Sequence, residues 1–416
     1  MDDWPPRSWD FETLHLAALY YHPSLEVARA QWLVAIGGNK TAAARPNPTA
    51  SVVPGYDITP SVLTPWFPAV NFDFPIETAG KRGYRKAQSR HLSESARFNI
   101  SATAWKVRSN LRASLIDFTS AQQRETLLQK QKSIQERIVR SLEQRLQAGA
   151  VSSAELTLIR IALDKIRLDL ADARQQHAEA RVRVAEAIGV SDKALDGLEL
   201  AFDLSARPSA VSGLLSTNAR SQALQNRADI LGALAEYAAS QSALQLEIAK
   251  QYPDIHLGPG YQYDQGDHKF SLALTAELPL LNQNQGPIAE AEARRAAAAA
   301  RFNALQAKVL TEIDRAAAMY RVAEENLATL ESLAVSQRKQ SQAVEAQFKV
   351  GAADQLDVLN SEIELGAGEL LQLNGRVKLH QSFAALEDAV QHPMDSTPPR
   401  LIEQPQRPAA MKENNP

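Results

Sequence analysis

Two long spans of the sequence contain neither proline nor glycine. They run from Tyr84 to Ala148 and from Ile288 to Val350, and they are 65 and 63 residues long. Both are rich in Ala, Leu, Glu, Gln, Arg and Lys, the strongest helix formers, which predicts one uninterrupted helix in each span. At 1.5 Å per residue, such a helix is roughly 95–100 Å long, a length that globular enzymes rarely need.

A lone glycine follows each span, at Gly149 and Gly351, and a second helical pattern begins directly after it. The sequence therefore predicts two helical hairpins. The returning helices carry apolar residues at spacings of three and four, which is typical of a coiled coil. These residues are Leu156, Ile159, Leu163, Ile166, Leu170, Ala173, Ala180, Val184 and Ala187 in the first helix, and Leu356, Leu359, Ile363, Leu370, Leu373, Val377 and Ala384 in the second.

Two proline-containing regions are predicted as β-hairpins. Between Lys269 and Leu278, apolar residues occupy every second position, which is the period of a strand. The preceding segment, Ile255 to Tyr263, is joined to it by Asp264-Gln265-Gly266-Asp267, a sequence with turn chemistry. A second pair of strands is predicted at Thr49 to Tyr56 and Ala69 to Ile76.

The chain is an internal duplication. When the sequence is shifted by 205 residues, Pro54-Gly55-Tyr56 aligns with Pro259-Gly260-Tyr261. At an offset of 204, Pro75 meets Pro279, and at 202, Gly149 meets Gly351. Such small changes of offset over so long a distance argue against chance similarity.

We therefore predict a mainly α fold with a small β part, organised as two repeats. The first repeat, residues 9–190, has a leading helix, a β-hairpin at 49–77, a long helix at 79–148 and a return helix at 152–189. A linker at 191–213 precedes the second repeat, residues 214–391. That repeat has a leading helix, a β-hairpin at 254–280, a long helix at 286–350 and a return helix at 353–391. The leading helices are predicted at Trp9 to Ala44 and Leu214 to Gln251, and the polar tail at 392–416 is predicted to be disordered.

Composition excludes several classes of function. The net charge of −3 lacks the basic excess that a nucleic acid partner requires. The absence of cysteine excludes disulfides, thiolate metal sites and a cysteine nucleophile in this sequence. No nucleophile elbow, phosphate loop, dinucleotide fingerprint or metalloprotease pair is present, so nothing in the sequence supports an enzyme.

The sequence allows two interpretations of how the chain relates to a membrane. The start of the sequence, Met1 to Trp4, lacks the basic and apolar segments of a signal peptide, so either the protein stays in the cytosol or its leader is missing from this sequence. The aromatic residues of the predicted strands suit the girdles of a membrane-inserted sheet, but four strands are too few to close a barrel without further chains. The alternative is a soluble hairpin that caps a helical bundle.

The arrangement resembles the TolC-like outer-membrane efflux proteins over residues 9–390. The most specific segments are the two tips, Arg145-Leu146-Gln147-Ala148-Gly149 and Gln347-Phe348-Lys349-Val350-Gly351, the latter followed by Leu356-Asp357-Val358-Leu359. The stretches from Pro75 to Arg82 and from Leu278 to Gly286 add to them. Within the family, the chain looks closest to the outer-membrane components of heavy-metal RND pumps.

The resemblance implies a homotrimer in the outer membrane, in contact with its lipid. Twelve strands would form one β-barrel, continuous with an α-helical barrel of twelve helices that makes a tunnel through the periplasm. The function implied is passive conduction of a substrate, with metal cations as one candidate. A periplasmic adaptor protein and an inner-membrane RND pump would be the partners, and no cofactor or catalytic residue is implied.

The resemblance also implies two sets of functional residues. The tips would contact the adaptor, through Leu146, Gly149, Ala150, Phe348, Val350 and Gly351. Acidic residues, namely Asp357, Glu155 and Asp354, would form a ring at the periplasmic entrance. The second acidic position of the family is Asn360 here, which argues for a weaker ring than in the family.

The tip glycines and the acidic residues also have a purely structural explanation. A tight turn between helices needs a positive φ, which glycine adopts freely. Asp354 with Asp357, and Ser152 with Glu155, fit the cap positions of the returning helices. His177 and His380 lie on the apolar seams, where a histidine is more often packed than metal-bound, so no metal site is predicted.

Two other classes of protein remain as alternatives. A periplasmic adaptor also uses a long helical hairpin, but it would have one hairpin and more strand. A cytosolic coiled-coil scaffold would agree with the missing leader, but it gives no purpose to the duplicated aromatic hairpins.

Overall fold

The computed structural model describes residues 8–58, 65–208 and 217–394. It is mainly helical with a small amount of sheet, which confirms the predicted fold class. The helices are α1 (Phe11–Tyr21), α2 (Pro23–Ala43), α3 (Lys81–Gln147), α4 (Ser153–Ile188), α5 (Thr217–Asn226), α6 (Ala228–Ala249), α7 (Gln285–Lys349) and α8 (Gln355–Val390). The strands are β1 (Ser8–Trp9), β2 (Thr49–Val53), β3 (Ala69–Ile76), β4 (Glu199–Leu200), β5 (Ile255–Asp264) and β6 (Asp267–Ala276).

The chain divides into two compact units. One unit consists of residues 23–104 and 224–309 and contains the main sheet. The other consists of the described residues up to 22, residues 105–223, and the described residues from 310 onward, and it contains the two helical hairpins. The long helices α3 and α7, of 67 and 65 residues, contribute to both units.

The single leading helix predicted for each repeat is wrong in both repeats, because each is divided in two. His22, between α1 and α2, and Arg227, between α5 and α6, both have extended backbone, with φ/ψ of −69°/120° and −62°/130°. Pro23 explains the first break, since the residue before a proline avoids the helical region. No proline follows Arg227, whose guanidinium instead bonds to Asp229 at 2.7 Å.

The predicted linker at 191–213 is partly regular. It contains a 3₁₀ turn at Asp192–Leu195 and strand β4, which pairs in parallel with β1. Residues 209–213 of this linker lie outside the described residues, as do residues 395–416 of the tail that was predicted to be disordered.

The hairpin unit has a core in which α3 packs against both α4 and α8. Ile134, Ile138 and Leu142 of α3 meet Leu156 of α4 and Leu359 of α8 in one buried cluster. Most apolar positions of the predicted seam of α4 are buried, namely Leu156, Leu163, Leu170, Ala173, Ala180, Val184 and Ala187. The seam prediction for the first return helix is therefore confirmed at these positions.

Helix α8 also packs closely on α7. A Cβ atom at Gly375 would lie 2.7 Å from Cδ1 of Leu330, so the glycine permits this approach. Further along, the rings of Tyr320 and Phe383 lie 6.1 Å apart. The lateral order of the four helices in this unit is therefore α4, α3, α8, α7.

The main sheet joins the two repeats. Its strand order is β2-β3-β5-β6, and every neighbouring pair is antiparallel. The β5–β6 turn consists of Gln265 and Gly266, with φ values of 52° and 96°, which suit the twist of a two-residue hairpin. Within the longer β2–β3 connection, Tyr56 and Trp66 form an isolated bridge.

Candidate functional site

The register of the sheet separates apolar from polar side chains. One row across the four strands consists of Val52, Val70, Tyr261 and Phe270. The adjacent row consists of Ser51, Asn71, Gly260 and Ser271. Because successive residues of a strand point to opposite faces, the sheet has one apolar and one polar face.

The apolar face is exposed in the isolated chain. On β6, Phe270, Leu272 and Leu274 are 82%, 73% and 70% exposed. Strands β2 and β6 are the two edges of this sheet, and each pairs along one side only within the described residues. An exposed apolar face and two open edges are unusual for a soluble monomer and call for covering partners.

The polar face carries a histidine–carboxylate pair that sequence reasoning missed. Nδ1 of His256 on β5 lies 3.0 and 2.9 Å from the two carboxylate oxygens of Asp73 on β3. At the start of α3, Lys81 donates to Asp254 at 2.8 Å. The first pair has no sequence signal, because its members are 183 residues apart.

The two hairpin tips share one turn geometry. Gly149 and Gly351 have φ of 72° and 76°. At the first tip, the N–H of Ala150 bonds to the carbonyl of Arg145 at 2.8 Å, and at the second tip, the N–H of Ala352 bonds to that of Gln347 at 2.9 Å. These are Schellman motifs, in which a residue with positive φ closes the helix, so the glycines have the structural role that was considered for them.

The docking residues predicted at the tips differ in exposure. Phe348 and Val350 are exposed, by 44% and 79%. Gly149, Ala150 and Gly351 are also exposed. Leu146 is different, because it packs against the core of the hairpin unit.

Two of the three predicted acidic residues, Asp354 and Asp357, act as helix caps. Asp354 and Asp357 form a reciprocal capping box at the start of α8, in which each carboxylate accepts the backbone N–H of the other residue, at 2.9 and 2.8 Å. In the first repeat, Ser152 accepts the N–H of Glu155 at 3.2 Å. Asp357, Glu155 and Asp354 are all exposed, but Arg145 bonds to the carboxylate of Asp354 at 2.7 Å and offsets its charge.

Ion pairs join the two hairpins along α3 and α8. Arg145 donates to Asp354 at 2.7 Å, and this hydrogen bond, followed by that of the Asp357 N–H, holds the pKa of Asp354 below its ordinary value of 3.8. The pairs Arg137–Glu362 and Lys130–Glu369, both at 3.5 Å, repeat the pattern at intervals of seven or eight residues. In all three pairs, the basic residue is on α3.

The seam histidines have structural partners. His177 lies 2.9 Å from Glu125, and Nε2 of His380 lies 3.3 Å from the carbonyl of Leu204. Within the described ranges, no group of three or more His, Asp or Glu side chains could hold a metal ion. No helix in those ranges is both long and apolar enough to span a membrane.

Comparison with known proteins extends these observations. The chain is 23% identical to the cobalt-zinc-cadmium resistance protein CzcC of Cupriavidus metallidurans over 318 residues, which cover 76% of this chain and 75% of CzcC. Among solved structures, CusC superposes with a TM-score of 0.74 at 17% identity, covering 94% of this chain and 95% of CusC. VceC of Vibrio cholerae gives a TM-score of 0.74 at 19% identity, covering 92% and 96% of the two chains.

The sequence profile of one family fits both repeats. It matches residues 19–190 and again residues 219–390, and its description is "Outer membrane efflux protein". These two ranges reproduce the duplication found in the sequence and include all four strands of the main sheet. The chain therefore belongs to the outer membrane efflux protein family and is an efflux channel protein.

Proposed function

We propose that this protein is the outer-membrane duct of a tripartite efflux pump and conducts its substrate passively. The observation that carries the proposal is the main sheet, with an exposed apolar face, a polar face and two open edges. Lipid would cover the apolar face, and the polar face would line a water-filled passage. In this proposal, the sheet lies in the outer membrane and the helical hairpins lie in the periplasm.

The working unit is a homotrimer. The strand order makes β2 and β6 antiparallel, so the β6 edge of one copy pairs with the β2 edge of the next in regular geometry. Three copies supply the twelve strands of one closed barrel, which leaves no open edge.

The outer helices of the hairpin unit support the same assembly. Leu158, Ile161 and Leu168 on α4 are 67%, 61% and 68% exposed. On α7, Met319 and Val322 are 52% and 56% exposed. Since α4 and α7 are the first and last helices of the lateral order, these residues would pack between neighbouring copies in an α-helical barrel of twelve helices.

The tips are proposed as the contact with a periplasmic adaptor, which in turn binds an inner-membrane RND pump. Val350 and Phe348 provide exposed apolar side chains next to a rigid turn, which suits a helical partner. Gly149, Ala150 and Gly351 leave the backbone of both tips accessible. Leu146 supports the contact indirectly, because it packs the first tip against the core of the hairpin unit.

The acidic residues at the starts of the two return helices are proposed to form a ring at the periplasmic entrance. Asp357, Glu155 and Asp354 would appear three times each in a trimer. Arg145 offsets the charge of Asp354, so the charges of Asp357 and Glu155 would be the ones that favour cations. Asn360 is neutral, so the ring is weaker than one with two acidic layers. Metal cations are the proposed cargo, because the relative CzcC is a cobalt-zinc-cadmium resistance protein.

The experiment is single-channel recording of the detergent-extracted protein in a planar bilayer. A trimeric duct gives discrete, long-lived conductance steps, and the same sample runs as a trimer in size-exclusion chromatography with light scattering. A pure and folded sample that never conducts would contradict the duct. It would favour the scaffold alternative, which family membership otherwise argues against.

A further inference from the structure

The polar face of the sheet contains an arrangement that could hold a metal ion. Nδ1 of His256 and the carboxylate oxygens of Asp73 lie 2.9–3.0 Å apart. Zinc binds histidine nitrogen and carboxylate oxygen at about 2.0–2.2 Å, so two of its adjacent ligands are roughly 3 Å apart. The two donors therefore already have the spacing of neighbours in one coordination sphere.

The strand register places a glycine beside the pair. The register pairs Asn71 with Gly260 and Phe74 with Leu257, which makes Gly258 the residue opposite Asp73. The Asp73 carboxylate reaches diagonally to His256, and Gly258 itself contributes no side chain to this part of the polar face. A glycine within a strand often marks a place where a ligand approaches the backbone.

The ionic contacts of Asp73 are compatible with a bound cation. Within the described part of the chain, Asp73 has no lysine or arginine partner, and His256 is its ionic contact. Nearby Asp254 is different, because Lys81 neutralises it. The side chains of His256 and Asp73 are 40% and 42% exposed, so an ion in the passage can reach them.

Two other histidine–carboxylate pairs are less suitable. His177 and Glu125 are also 2.9 Å apart, but Arg174 bonds to the same carboxylate at 3.2 Å and opposes a cation there. His91 and Glu94 are 3.7 Å apart, which is wider than the spacing of adjacent ligands. His256 with Asp73 is thus the pair with both suitable spacing and an unneutralised carboxylate.

We propose that Asp73 and His256 form a low-affinity binding site for a borderline divalent cation, such as Zn²⁺ or Co²⁺, on the polar face of the sheet. In the Nε2–H tautomer, the Nδ1 lone pair and one Asp73 oxygen ligate the ion, and water fills the remaining positions. Two protein ligands suit a conduit, because conduction requires an ion to leave as readily as it enters. This proposal rests on the proposed function, because the pair would bind a cation in transit only if the polar face lines the passage. Each copy of the chain would then contribute one such site.

The test is isothermal titration of Zn²⁺ into the detergent-solubilised full chain, purified without a histidine tag. We expect one weak site per chain, with affinity reduced at least about tenfold in His256→Gln and in Asp73→Asn. His177→Gln is the matched control, and it should bind as the original protein does. Co²⁺ absorption spectra give a second readout, since the bands of nitrogen-ligated Co²⁺ should be lost in His256→Gln.

If His256→Gln binds Zn²⁺ as tightly as the original protein does, and both proteins are folded and trimeric, the proposed site is wrong. Equal loss in His177→Gln would do the same, because binding would then not depend on this pair. The outcome is distinguishable from failure of the duct itself. A channel that conducts but binds no Zn²⁺ at this pair would contradict the metal site and support the duct. A protein that does not conduct but binds Zn²⁺ through His256 would contradict the duct and support the metal site.

Discussion

Arg145, in the last turn of α3, donates to Asp354, the N-cap of α8, at 2.7 Å. The bond joins the end of one helical hairpin to the start of the return helix of the other. The side chains are 38% and 47% exposed, so the pair contributes about 0.2–1 kcal/mol. We predict that this bond favours a closed arrangement of the tips and breaks when the channel opens.

Arg145→Ala should shift the tips toward separation. A loss of up to about 1 kcal/mol raises the ratio of open to closed channels by up to about fivefold, which single-channel recording measures directly. Arg160→Ala is the matched control, because Arg160 pairs with Glu143 at 2.7 Å within one hairpin. If both variants change the open probability equally, the link between hairpins has no special role.

Acidification to pH 5 should leave this link intact. The hydrogen bond from Arg145 lowers the pKa of Asp354 below 3.8, so the carboxylate stays charged at pH 5. Its stabilising contribution is present above the unfolded pKa and is lost only as pH falls through the lower folded value. Recording at pH 7 and pH 5 with the original protein and Arg145→Ala checks this, and a difference between them that disappears by pH 5 would contradict it.

Asp357→Asn should separate the charge of Asp357 from its role as a cap. The amide oxygen can still accept the N–H of Asp354, so thermal stability should be nearly unchanged. Block of the channel by added divalent cations should weaken about twofold to fivefold if the carboxylates form a ring. Asp164→Asn, an exposed acid on α4, is the charge control, and unchanged conductance and block in Asp357→Ala would exclude the ring.

A lysine should be far more destabilising at one residue of β6 than at its neighbour. Leu272, on the apolar face, is replaced by lysine in one variant, and Ser271, on the polar face, in the other. A lysine in the middle of a lipid-facing strand costs about 2–4 kcal/mol, whereas one that faces water costs little. Leu272→Lys should therefore reduce the amount of trimer recovered from outer membranes, and similar recovery of both variants would argue against a lipid-facing side.

His15 should make stability fall in mild acid. Burial, assisted by the charge of Arg108, lowers its pKa to about 4 from 6.5. Between these values the unfolded chain binds a proton that the folded chain does not, so stability is lost as pH falls from about 6.5 toward 4. For a half-buried side chain, we expect a loss of about 1 kcal/mol at pH 5.

Thermal unfolding at pH 7.5 and pH 5 checks the expectation for His15. The drop in melting temperature between the two pH values should be smaller in His15→Gln than in the original protein. The comparison isolates His15, because the other groups that titrate are the same in both proteins. An identical drop would mean that His15 is not the group responsible.

The relation between the leading helices shows the limit of local sequence signals. Pro23 predicts the first break, at His22. No residue near Arg227 predicts the second break, although Arg227 is the equivalent of His22 in the other repeat. The duplication itself was the signal that could have found it. A break in one repeat at a proline predicts a break 205 residues later even without the proline.

The sequence by itself determined the local structure. Long spans that lack proline and glycine and are rich in helix-forming residues favour continuous helices. Glycines can adopt the positive φ of the tips, and alternation fixes which strand residues share a face. These properties depend on neighbours within a few residues and on the repeat. Only the tertiary structure decided that Arg145 meets Asp354 and that His256 meets Asp73, because strand register and helix packing bring together residues about 200 positions apart, and no local pattern encodes those distances.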